Sequence, residues 1–118
     1  MRILDVEAVP AQEAVAITGH LVPGEVVHTA FRSPTAAVLF TAARILLVER
    51  NALLDEKVET SSFSYRSMRQ FSFAEASGEG GRVAVKDWLG ADPQPLHLRA
   101  GPGTDLRPLQ QLLAGKLG

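Results

Sequence analysis

The side chains able to do chemistry in this chain of 118 residues are few and scattered. His20, His28 and His97 are its only imidazoles, and none stands at metal-ligand spacing from a second ligand on the same element. They read as solvent-facing or turn-bonded groups. The chain holds no cysteine, so thiolate metal sites, thiol nucleophiles and disulfides are excluded. Thr41 has no base beside it in sequence and reads as a turn hydroxyl rather than a nucleophile. Asp55 and Glu56 are paired carboxylates in a polar connector, where they keep a loop solvated. Gly78-Glu-Gly-Gly81 lacks the Lys-Ser/Thr of a phosphate loop and is followed by strand-like alternation, so it reads as a hairpin turn. Gly101-Pro-Gly-Thr104 leads into a helix start, whose free N–H groups can hold an anion, but Thr104 or Asp105 can cap that end from within. No catalytic residue, metal or cofactor is expected, and the chain is not read as an enzyme.

Four cations remain as possible contacts to a partner or an anion: Arg32, Arg44, Arg50 and Lys57. The planar fork of Arg44 suits a carboxylate, either a partner's or one within the chain. Glu49, Asp55 and Glu56 lie beside Arg50 and Lys57 and offset their field. The formal charge of −1 gives no overall attraction for phosphate polymers or anionic surfaces. Trp88 and Tyr65 are not interleaved with basic residues as base-stacking strands require, so nucleic acid is not an expected partner, and neither is membrane lipid.

These residues must be positioned by a mainly β scaffold. The length suits one domain over residues 1–118, and 46% hydrophobic with 21% charged residues is the composition of a folded chain. Helix formers in Ala11-Gln-Glu-Ala-Val-Ala16 predict a short N-terminal helix ended by Gly19, within a helical extension over 1–20. Strands are expected across 21–103. The first alternates through Val27, Thr29 and Phe31, and the next two, 36–41 and 44–50, are apolar on both faces, as in strands covered from both sides. An imperfect strand follows around Val58 to Tyr65, then one from Met68 to Glu75, one through Val83 and Val85 to Trp88, and one through Leu96 and Leu98 after the break at Asp92-Pro-Gln-Pro95. That makes seven. Leu106, Leu109, Leu113 and Leu117 then recur at spacings of three and four, which predicts a terminal helix over 104–117 with Asp105 as its N-cap.

With this order in place, Leu21-Val-Pro-Gly-Glu25, Val38-Leu-Phe-Thr41 with Arg44-Ile-Leu-Leu-Val48, Lys57-Val-Glu59 and Ser64-Tyr-Arg-Ser-Met68 resemble the bacterial pleckstrin-homology (PH) domain family over residues 21–117. The resemblance implies a PH-like seven-stranded antiparallel sandwich or barrel, two nearly orthogonal sheets capped by the C-terminal helix. Two positions depart from the family pattern. Ala42-Ala43 replaces the usual polar turn pair and disfavours the positive φ of a two-residue hairpin, and Ser64 stands where a proline is common before the tyrosine.

The resemblance also implies self-association into symmetric rings through strand edges and helices. The uncharged stretch Thr60, Ser61, Ser62, Phe63, Ser64 is the expected edge, with the N-terminal helix as a second contact. The functional expectation is a non-catalytic scaffold working through protein contacts, as a homo-oligomer with a protein partner the residues do not name. The alternative is a module for an anionic lipid headgroup or a small apolar molecule beneath the C-terminal helix. Residues 1–10 lack the long apolar core of a secretory signal and no apolar run approaches membrane-spanning length, so the expected location is cytoplasmic.

Overall fold

The computed structural model describes residues 2–16, 21–51, 57–75, 83–90, 95–101 and 104–117. Gly19, His20, Asp55, Glu56, the 78–81 turn, Asp92 to Gln94, Pro102 and Gly103 lie outside the described residues, as does the side chain of Lys57. In chain order the elements are β1 (Arg2–Val9), α1 (Ala11–Ala14), β2 (Val27–Arg32), β3 (Ala36–Thr41), β4 (Arg44–Asn51), β5 (Lys57–Ser64), a single 3-10 turn (Tyr65–Ser67), β6 (Met68–Glu75), β7 (Val83–Leu89), β8 (Leu96–Ala100) and α2 (Arg107–Leu117). The seven expected strands are β2 to β8, and the leucine-spaced tail is α2.

The helical extension expected over 1–20 is corrected at its start. Residues 2–9 are a strand, and the helix is confined to the four residues of α1. The reason lies in the side chains. Asp5 and Glu7 are exposed while Val6 is buried between them, a period of two rather than 3.6. Pro10, with no N–H to give a sheet, ends the strand and opens the helix.

Because of β1, the two expected sheets are one continuous eight-stranded run in the order β5-β4-β3-β2-β1-β8-β7-β6. Residues 2–6 pair with β8 in parallel and residues 7–9 pair with β2 antiparallel, so this strand joins the meander β2 to β5 to the meander β6 to β8. Every other pairing is antiparallel. Among the described residues the run curls without closing, with β5 and β6 as its two ends.

The curl holds two apolar clusters. The larger lies inside it, with Val6, Phe31, Val38, Phe40, Ile45, Leu47, Val85 and Leu98 packed against Leu109 and Leu113 of α2. The smaller lies on the opposite face of β2 to β4, where Ala30, Ala37, Leu39, Leu46 and Val48 are covered by Val9 and Ala14. All six residues of β3 are buried as a result, as its two-sided apolar pattern predicted. Each such Val, Leu or Phe side chain contributes roughly 1.5 to 3 kcal/mol on burial, so this strand anchors the fold.

Candidate functional site

Where β3 turns into β4, the alanine pair is held by its neighbours. Thr41 Oγ1 accepts the N–H groups of Ala43 at 3.1 Å and Arg44 at 2.9 Å, which gives these turn donors a side-chain acceptor. Its own proton lies between Glu25 Oε2 at 2.8 Å and the Arg44 carbonyl at 3.0 Å. Arg44 donates from both arms of its fork to Glu25, Nε to Oε2 and Nη2 to Oε1, each at 2.9 Å, while its Nη1 reaches Ser62 Oγ at 2.9 Å. Val22 N–H closes the cage at 3.1 Å from Oε1. The Glu25 side chain is 1% exposed and that of Arg44 25%. Chiefly through the Arg44 hydrogen bonds, working against burial, the carboxyl is lowered to about 2, and the guanidinium is raised in return. The fork of Arg44 therefore serves an acid of its own chain.

Tyr65 completes this corner. The 3-10 turn starts when Ser64 Oγ accepts Arg66 N–H at 3.1 Å, so the serine in the proline position acts as its N-cap. The turn swings the phenol inward, where its OH donates to the Thr41 carbonyl at 2.6 Å, and Lys116 Nζ stands 5.5 Å from the ring centroid. Tyr65→Phe leaves that buried carbonyl without its donor and is expected to lower stability by about 1 to 2 kcal/mol in urea unfolding at pH 7. A loss below about 0.3 kcal/mol would contradict this role.

The other predicted cations lie elsewhere. Arg50 is six residues along β4 from Arg44, about 20 Å at strand spacing. It is joined by Arg32 across the turn between β2 and β3, where Arg50 N–H donates to the Thr35 carbonyl at 2.8 Å. The two arginines line one cleft of about 190 Å³ with Ser33, Thr35 and Val58. Arg32 is loosely paired with Glu7, at 3.7 Å, and is about half exposed. Lys57 opens β5 opposite Asn51 at this same end of the sheet. Three of the four predicted cations thus share one end, and Arg44 is at the other.

The expected edge segment falls on β5, which pairs with β4 on one side and, among the described residues, has no strand on the other. Ser62 and Ser64 are exposed, Thr60, Ser61 and Phe63 half-buried, and Phe63 packs against the main core. Thr60 Oγ1 is buried without a partner among the described residues.

One residue was missed in the sequence altogether. Asp87, on β7 between inward-facing Val85 and Leu89, is 2% exposed, and neither carboxylate oxygen has a hydrogen-bond partner among the described residues. Burial pushes its carboxyl up to about 7, and its charge, after burial itself, also helps raise the phenol of Tyr65. The signal was legible: Asp87 sits at the same parity as Val85 and Leu89, on the face that an alternating strand turns inward.

A curled, mainly antiparallel sheet with an apolar interior plugged by a C-terminal helix is the PH-like class of fold. The chain belongs to the bacterial PH domain family, whose model matches residues 2–117. It is 27% identical over 95 residues to the uncharacterized protein YjqA of Bacillus subtilis (strain 168), covering 80% of this chain and 76% of that one. Among solved structures it is similar to a DUF1696 family protein with a pleckstrin-homology domain from Shewanella loihica PV-4, with a TM-score of 0.78 at 22% identity over 98% of this chain and 99% of that one. A pleckstrin homology domain from Shewanella amazonensis SB2B gives 0.67 at 21% identity, over 92% and 98%. A PH domain containing protein from Exiguobacterium sibiricum 255-15 gives 0.72 at 14% identity, over 96% of this chain and 62% of that one. At these identities the structures speak for the fold.

Proposed function

We propose that this domain is a non-catalytic scaffold that works through protein contacts and assembles with copies of itself along β5. The observation that carries the reading is the position of the uncharged segment 60–64 in a terminal strand, whose outward N–H and C=O groups another strand can continue. Val58, on the same strand, is 55% exposed and adds apolar surface to that edge. A lysine there would set like charges against each other in a symmetric contact. Light scattering after size exclusion at micromolar concentration is expected to give a multiple of the chain mass for the native protein and a smaller mass for Val58→Lys. A monomer in both cases would overturn the assembly reading.

A second reading, a site for an anionic headgroup, is favoured by Arg32 and Arg50 lining one cleft. Co-sedimentation with anionic vesicles separates the two. A protein-contact domain stays in the supernatant, whereas pelleting that is lost on adding salt would favour the headgroup.

A further inference from the structure

The outer face of the second meander gathers side chains that stand apart along the chain. On β7 and β8 the inward positions are Val85, Asp87, Leu89, Leu96 and Leu98, so Lys86, Trp88, His97 and Arg99 turn outward, and all four are half-buried. Register sets them side by side. Ser72 of β6 pairs with Lys86 of β7, and Lys86 with His97 of β8, which makes one row across three strands about 4.8 Å apart. Trp88, the only tryptophan of the chain, lies two residues on from Lys86 on the same face, about 7 Å at strand spacing. Gln70 of β6 pairs with it.

Two members of this face lack the partners that Arg99 has. Arg99 donates to Asp5 of β1 at 2.9 Å, which cancels its charge within the face. Lys86 meets no carboxylate among the described residues. His97 holds Nδ1 out of water with no hydrogen-bond partner among the described residues, so Nε2 is the nitrogen that an arriving group reaches. Burial first, and then the charges of Lys86 and Arg99, lower its pKa against the pull of Asp5, which leaves the ring neutral at pH 7. The row therefore offers one uncompensated ammonium, one imidazole and one hydroxyl, beside an indole.

An anion of phosphate size suits such a row, because its oxygens accept from several converging donors at once. A flat ring joined to it can stack on the indole, as bases do on the aromatic side chains of sheet surfaces. Spacing decides between a bare anion and a ring-bearing one. The separation of Lys86 from Trp88, about 7 Å, is comparable with the sugar that stands between phosphate and base in a nucleotide. A polymer fits less well, since the row is one phosphate wide and the formal charge of the chain is −1.

We propose that the outer face of β6 to β8 binds a mononucleotide, with its phosphate held by Lys86, His97 and Ser72 and its base on Trp88. The inference uses no residue of β5 and neither arginine of the Arg32 and Arg50 cleft, so it stands whether or not the domain self-assembles.

A single tryptophan makes the test direct, because its fluorescence reads this face alone. The whole domain is titrated with adenosine monophosphate and with adenosine, and inorganic phosphate is added as a competitor. The expected result is saturable quenching by the monophosphate with a Kd of about 1 mM or tighter, and binding of adenosine or phosphate weaker by about tenfold or more. In Lys86→Gln the monophosphate should bind about tenfold more weakly while adenosine is unaffected. The side chain points outward, so unchanged thermal unfolding is expected to show that the variant remains folded. In proton NMR the His97 ring, identified by its loss in His97→Gln, should titrate at higher pH with the monophosphate bound, because a neighbouring anion favours the imidazolium. No saturable quenching, a monophosphate that binds no more tightly than adenosine or phosphate, affinity unchanged in Lys86→Gln, or an unmoved His97 titration would each overturn the proposal.

Discussion

Arg44→Met is expected to lower the stability of this domain by about 3 kcal/mol at pH 7, because it strands a buried carboxylate rather than merely deleting a surface ion pair. Glu25 would keep only the Thr41 hydroxyl and the Val22 N–H, with a side chain 1% exposed. The pH dependence has a definite sign. The Glu25 carboxyl is lowered from 4.5 to about 2 in the folded chain, so its contribution is full above pH 4.5 and is lost as pH falls towards 2. That shift corresponds to about 3 kcal/mol, and in Arg44→Met the acid limb should flatten or reverse. The double variant Glu25→Leu/Arg44→Met should recover most of the loss, since an apolar pair of similar volume leaves no charge to solvate. Urea unfolding at pH 7 and through the range from 5 to 2 measures all three. A single variant within 1 kcal/mol of the native protein, or an unchanged acid limb, would show that the pair is not what holds this corner.

That corner was partly legible in the sequence. Thr41 and Arg44 stand out because they flank a turn of two alanines, which cannot satisfy its own geometry and so requires a side chain to do it. Their partner was harder to find. Glu25 lies 19 positions before Arg44 and is joined to it by the pairing of β2 with β3, a long-range register that local pattern does not supply. Tyr65 is similar, since only the 3-10 turn shows that it points inward to Thr41.

The strands from β2 onwards followed from alternation and from turn residues, and α2 from the three-and-four spacing of its leucines, because each pattern reports a face that must be buried. β1 was lost for a physical reason. Leu4 and Val6 pack against the main cluster, whereas Val9 packs into the other one, so the strand buries opposite faces in its two halves. A segment that changes sides at a junction between meanders shows no single sustained period. The helix-forming residues after Pro10 then dominated the reading, although they make only four residues of helix. The four cations were separable only in three dimensions, since Arg44 and Arg50 stand on one strand and serve its opposite ends.

Asp87→Asn is expected to remove a loss of stability that the native protein suffers as pH rises. The folded carboxyl titrates near 7, against 3.8 when unfolded, because burial between Val85 and Leu89 penalises its ionised form. Below pH 3.8 both states hold the proton and the group contributes nothing. Between about 4 and 7 the unfolded chain ionises freely while the folded chain keeps its proton, so stability falls with rising pH and levels off only above 7. A shift of this size corresponds to a loss on the order of 4 kcal/mol. Glu25 acts in the opposite sense at lower pH, so of these two carboxyls Glu25 shapes the acid limb and Asp87 the neutral one. In Asp87→Asn the neutral limb should flatten, so that the variant exceeds the native protein at pH 8 by more than at pH 5. Parallel urea curves for the two proteins at both pH values would overturn this account. They would mean that the Asp87 charge is compensated in the folded chain, and that the polar residue of β7 is an ordinary part of the core rather than a source of its instability.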